Sequence, residues 1–114
     1  MSTSMYVTSE LQYHQFIEEI SDDMTFDEIF DRLDSISYYT NFSGRLERLY
    51  DVIEDFKRFE DHFTKEFLYR GFKTSVSNLK RTVESLNSNE IFIKWDQVID
   101  QFEDEENVLI FVDV

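Results

Sequence analysis

Apolar residues recur at steps of three and four through the middle of the chain, at Leu46, Leu49, Ile53, Phe56, Phe63 and Phe67. Glu60 fills the one gap in the pattern. Side chains at that spacing line one stripe of a helix, and a heptad-like repeat of this length predicts a single long one. Ser43 is placed to cap it, and Glu47 falls near its first turn. Gly71 suits the left-handed position just beyond a helix end, and Arg70 and Lys73 suit the negative pole there. A helix from Ser43 to Arg70 would be about 40 Å long.

Shorter helical patterns flank this stripe. Ser9 is placed to cap a first helix carrying Leu11, Phe16, Ile17 and Ile20, which Ser21-Asp22-Asp23 ends. Thr25 and Glu28 have the spacing of a capping box, followed by Phe26, Ile29, Phe30, Leu33 and Ile36 at helical steps. Tyr38 to Ser43 reads as a connection. Residues 74–86 predict a fourth helix with Val76, Leu79, Val83 and Leu86 inward, broken by Asn87-Ser88-Asn89. Ile91, Trp95, Val98, Ile99 and Phe102 predict a fifth, although Ile91-Phe92-Ile93 also suits a strand. Val108 to Val114 is short, apolar and β-branched, and reads as a strand. Its pairing partner would be Met5 to Thr8, a hairpin with residues 90–95, or another chain. The expected fold is therefore mainly α, a compact bundle of about five helices. It has one long central helix and a short C-terminal strand or hairpin.

The 114 residues fit one domain, residues 1–114. A hydrophobic content of 41% with 17% aromatics is enough to build a core despite a net charge of −14. Such a charge opposes contact with nucleic acid or anionic lipid and favours basic protein surfaces. With no cysteine, disulfides and thiolate chemistry are excluded, and an intracellular setting is expected. The first ten residues have no basic-then-apolar secretory pattern, and no apolar run reaches the length of a membrane span. There is no Ala or Pro, and there are only two Gly. That bias matches AT-rich codons, so a bacterial or phage source and the cytoplasm of a bacterial host are expected.

The charge is unevenly placed. Residues 1–40 hold nine acids and one base, and residues 82–114 hold the same numbers, whereas residues 41–81 hold seven acids and nine bases. Two acidic arms thus flank a nearly neutral centre, where Arg45, Arg48, Lys57, Arg58 and Lys65 have Glu47, Asp51, Glu54 and Asp61 as local partners. In the first arm Glu18, Glu19, Asp22 and Asp23 precede Asp27, Asp31 and Asp34, spaced i, i+4, i+7 on the expected outer face of helix two. In the second, Asp96, Asp100 and Glu103 repeat that spacing before Asp104, Glu105 and Glu106. Neighbours at i and i+4 stand about 5–6 Å apart. That approaches the several-Å spacing of phosphates along a nucleic-acid strand. Plain solvation also produces acidic outer faces, but withholding bases from both arms leaves their mutual repulsion uncompensated. Tyr38 and Tyr39, in the expected loop, and Tyr69 and Phe72, around Gly71, are candidate interface anchors.

Catalytic patterns are missing. His14 lies at helical spacing from Glu10 and Glu18, and His62 sits beside Glu60, Asp61 and Glu66, but Phe59 stands where a Glu-x-x-His pair needs its acid. There is no calcium loop, no glycine-rich phosphate loop and no nucleophile–base set. No catalytic residue, cofactor or metal is therefore expected. The expected partner is a basic, nucleic-acid-binding protein, with no direct contact to nucleic acid or membrane and with a homodimer as an option. Small acidic phage proteins that inhibit restriction enzymes or CRISPR nucleases act as DNA mimics. The chain is similar to them in size, composition and charge layout, without a shared motif. An immunity protein or antitoxin for a basic nuclease toxin, or an assembly protein built on the central heptad helix, are the alternatives.

Overall fold

The computed structural model describes residues 2–43, 53, 56–85 and 95–113. These form a five-stranded antiparallel sheet with helices on both faces, rather than a mainly helical bundle. In chain order the elements are β1 (Ser2–Ser9), α1 (Glu10–Glu19), α2 (Phe26–Ile36), β2 (Ser37–Ser43) and β3 (Lys57–Phe59). Next come α3 (His62–Glu66), β4 (Tyr69–Ser75), α4 (Val76–Glu84), α5 (Trp95–Gln101) and β5 (Asn107–Asp113). The strand order is β2-β1-β5-β4-β3, so the first and last strands pair at the centre.

The central strand explains the layering. Val108, Leu109, Ile110, Phe111 and Val112 are all buried, as expected of a strand covered on both sides. Strand side chains alternate between faces. Val108, Ile110 and Val112 join Met5, Val7 and Phe72 under α4 and α5, which contribute Val76, Leu79, Trp95 and Val98. Leu109, Phe111 and Tyr6 point the other way, under α1, α2 and α3, which contribute Tyr13, Phe16, Ile29, Leu33 and Phe63.

The expected long central helix is replaced, over its described part, by β3, α3 and β4. The sheet supplies the reason. Ile53 and Phe56 belong to the core beneath α4 and α5, whereas Phe63 belongs to the core beneath α1 and α2. One helical stripe cannot serve both faces. The three-and-four spacing arose where a strand and a turn separate residues bound for opposite sides. Residues 44–52, including the expected cap region at Glu47, lie outside the described residues.

Tyr38 to Ser43 is likewise a strand rather than a connection, paired with β1 from Thr8↔Ser37 to Ser2↔Ser43. Its Tyr, Thr and Phe residues suit a pleated surface. Met5 to Thr8, one of the expected partners of the C-terminal strand, does pair with it, and β4 pairs on its other side. Residues 86–94, with the expected break at Asn87 and the alternative strand, lie outside the described residues.

The helix ends follow local chemistry. Ser9, Thr25 and Ser75 accept from the backbone N–H groups of Gln12, Glu28 and Asn78. Gly71 does not end a helix. It lies in β4 opposite Phe59, where an added Cβ would run into the Phe59 carbonyl oxygen. The left-handed residue after α3 is instead Leu68, with φ 61°.

Candidate functional site

The sheet separates the two acidic arms. Glu18, Glu19, Asp22, Asp23, Asp27, Asp31 and Asp34 are all exposed along α1, α2 and their connection, outside one face. Asp96, Asp100, Glu103, Asp104 and Glu106 are exposed on and after α5, which packs on the opposite face. The two rows are thus carried by helices that cover opposite faces of the sheet. On α2 the row forms as the spacing predicts, with Asp27, Asp31 and Asp34 outward and Ile29 and Leu33 buried. Glu19 is already engaged by Arg32, the base of that arm.

The first arm borders something that the sequence pattern did not reveal. A cleft of about 590 Å³ opens between the α1–α2 connection and α3. Ile17, Ile20, Met24, Ile29, Phe63 and Phe67 give it an apolar lining, and Asp22, Asp61, His62 and Glu66 give it a polar border. Phe26, expected in the core, also lines the cleft, is 67% exposed and meets the edge of Phe67 with ring centroids 5.6 Å apart. Leu68, in the turn after α3, is 76% exposed. Its left-handed backbone is unfavourable for a residue with a Cβ, so the turn holds an apolar side chain in solvent at some conformational cost.

Asp61 fixes the α3 side of the cleft. It caps α3, accepting from the Thr64 backbone N–H at 2.9 Å, while its own N–H donates to Thr64 Oγ1 at 2.9 Å. Its second oxygen accepts from the Tyr13 hydroxyl at 2.5 Å, tying α3 to α1. Burial, then that hydrogen bond and the Asp61 charge, push the Tyr13 phenol well above its ordinary range. The Asp-x-x-Thr signature was legible in the sequence, but a helix drawn through positions 43–70 hides a cap at position 61. His62 lies 3.3 Å from Glu66 on the exposed side of α3.

Along the same face the aromatics continue toward the β2 edge. Tyr39, 42% exposed, packs on Tyr6 at 4.9 Å, and Tyr6 meets Tyr69 edge-on at 6.1 Å. Burial, with Tyr39, Asp34 and Asp113 nearby, pushes the Tyr6 phenol up to about 12. Burial chiefly raises Tyr69 as well. Tyr38 points to the other face, half-buried against the α4–α5 core, and Phe72 is buried within it. Of the candidate anchors, Tyr39 is thus the exposed one.

Of the central bases, Lys57 and Arg58 are exposed on β3, with the Arg58 guanidinium over the Phe72 ring at 5.4 Å. Arg45, Arg48, Glu47, Asp51 and Glu54 lie outside the described residues. Among the described residues no group of three His, Asp or Glu is placed to hold a metal ion, and no helix is long and apolar enough to cross a membrane. Comparison with family models, curated proteins and solved structures gave no match.

Proposed function

We propose that this chain is a non-enzymatic binding protein that docks its α1–α2–α3 face on the basic, nucleic-acid-binding surface of another protein and so blocks it. The observation that carries this reading is the apolar cleft bordered by Asp22, Asp61 and Glu66, beside exposed Phe26 and the Asp27, Asp31, Asp34 row. A cleft of this size suits an apolar or aromatic anchor, and the carboxylates of Asp22 and Glu66 in its lining favour one flanked by Lys or Arg. The acids then steer the encounter and select the partner, while the anchor slows release. Both an inhibitor that imitates nucleic acid and a toxin-neutralising protein would use this face. The cleft favours a mode in which a few anchors hold and charge guides.

The test presents the purified chain to a panel of basic DNA-binding domains and measures affinity as salt is raised. Reversing Asp27, Asp31 and Asp34 to Lys should weaken binding by about tenfold or more. Reversing Asp96, Asp100 and Glu103 should leave binding within about threefold. Equal loss from both sets would mean that net charge alone acts, and loss from neither would refute the proposal.

A further inference from the structure

The two edges of the sheet are built differently. β3 is three residues long and carries exposed Lys57 and Arg58, features that discourage another strand from adding there. β2 is seven residues long, Ser37-Tyr38-Tyr39-Thr40-Asn41-Phe42-Ser43, and has no charged residue in a chain that is 32% charged. It has no Pro, and its register with β1 runs unbroken from Ser37 to Ser43, without a bulge. Among the described residues no strand lies on its outer side. A long, regular, uncharged edge leaves a row of outward N–H and C=O groups ready to pair.

We propose that this edge is a self-association surface, on which a second copy of the chain pairs antiparallel with β2 about a twofold axis. The two five-stranded sheets would then join into one. Charge selects the occupant. At a net −14 most of the surface repels its own copy, and a neutral edge is where two copies meet with least repulsion. A basic partner, by contrast, is drawn to the acidic face rather than to an uncharged strand. Antiparallel pairing about a twofold also lets each copy's outward groups satisfy the same groups of its mate. Tyr39, which is exposed at this edge, would become covered. Asp34 is exposed at the end of α2, three residues before β2 begins, so like charges stand near the interface. Their repulsion is screened beyond about 8 Å at physiological salt and within less at higher salt.

Sedimentation of the full chain across a concentration series therefore should reveal a dimer that tightens with added salt, opposite to the weakening expected for a basic partner. In the wild type, hydrogen exchange at alternate β2 amides should slow as concentration rises. Thr40→Pro and Asn41→Pro sharpen the test. Successive residues of an antiparallel strand turn their N–H groups to opposite edges, so one of the two prolines removes an outward donor and spares the β1 ladder. The variant that keeps the wild-type melting temperature should raise the dimer dissociation constant about tenfold or more. A wild-type chain that stays monomeric at millimolar concentration would overturn the proposal, as would β2 amides indifferent to concentration. Protection of those amides only when a second protein is added would assign the edge to that protein and equally overturn self-pairing.

Discussion

The two acidic arms carry the same excess of acids and the same i, i+4, i+7 row, yet they stand in different surroundings. Around the first arm lie the apolar cleft and Phe26, and Leu68 stands exposed in the turn after α3. Among the described residues Leu11, Phe26, Tyr39 and Leu68 are the exposed large hydrophobics, and none comes from residues 95–113. Around the second arm the apolar residues are withdrawn: Trp95, Val98 and Phe102 are buried beneath the acids of α5 and its following turn. A charged row over a closed core is what solvation requires. A charged row beside an open apolar cleft is the arrangement on which the proposed docking face rests, because anchors supply most of the hold and charge mostly the rate.

Truncating an aromatic on each side separates these roles, and the largest effect belongs to the closed face. Trp95→Ala should destabilise the fold by about 3–5 kcal/mol, since Trp95 is 2% exposed and fills the core under α4 and α5. Denaturant unfolding measures it. A loss below about 1 kcal/mol would mean that this core collapses around the gap.

Alkaline pH should come next and should act on the opposite face. Tyr6, Tyr13 and Tyr69 lie under or beside α1–α3, and all three phenols are raised from an ordinary value of 10.0. The folded chain thus holds these protons more tightly than the unfolded chain does. Stability from this source is complete below about pH 10 and declines as pH rises through that value toward and past the folded pKa values. Ultraviolet titration should find these three phenols still protonated above pH 10, ionising only as the fold opens. Ionisation of all six tyrosines near their ordinary value in the native chain would show the face to be more open than its packing indicates.

Phe26→Ala tests the open face directly. Phe26 is two-thirds exposed, so its removal should cost at most about 1 kcal/mol of stability. Affinity for a basic partner should fall by about 2 kcal/mol, roughly thirtyfold. Undiminished affinity would remove Phe26 from the anchor role and leave the acids to act alone.

Much of the local structure was legible because it depends on neighbouring residues. Ser9 and Thr25 cap helices as their sequence context predicts, the α2 row of carboxylates faces outward, and the apolar C-terminal segment is a strand. What was not legible depends on the sheet. Met5, Tyr6 and Val7 form a central strand whose neighbours, β2 and β5, are distant in sequence. β3, α3 and β4 merged into one helix because helical spacing does not distinguish a stripe from residues dealt to two faces. The cleft was invisible for a related reason, since α1, α2, their connection and α3 each contribute only part of its wall. Tyr13 reads as amphipathic rather than as core, because the group that accommodates its buried hydroxyl, Asp61, is 48 residues away.

The smallest predicted effect bears most directly on how the open face is maintained. Leu68 occupies the left-handed position after α3, where glycine is the usual residue, while Gly71 is needed three residues later to let β3 approach β4. Leu68→Gly should therefore raise stability by about 1 kcal/mol, since it relieves the positive φ at slight loss of packing for a side chain that is 76% exposed. That corresponds to roughly 4–8 °C in the melting temperature of a domain this small. If Leu68 is an anchor, the same change should weaken partner binding several-fold while the fold becomes firmer. Stability and affinity moving in opposite directions would identify a turn strained to present an apolar side chain. A loss of stability on Leu68→Gly would instead make the leucine part of the packing, and the open face would shrink to Phe26 and the cleft.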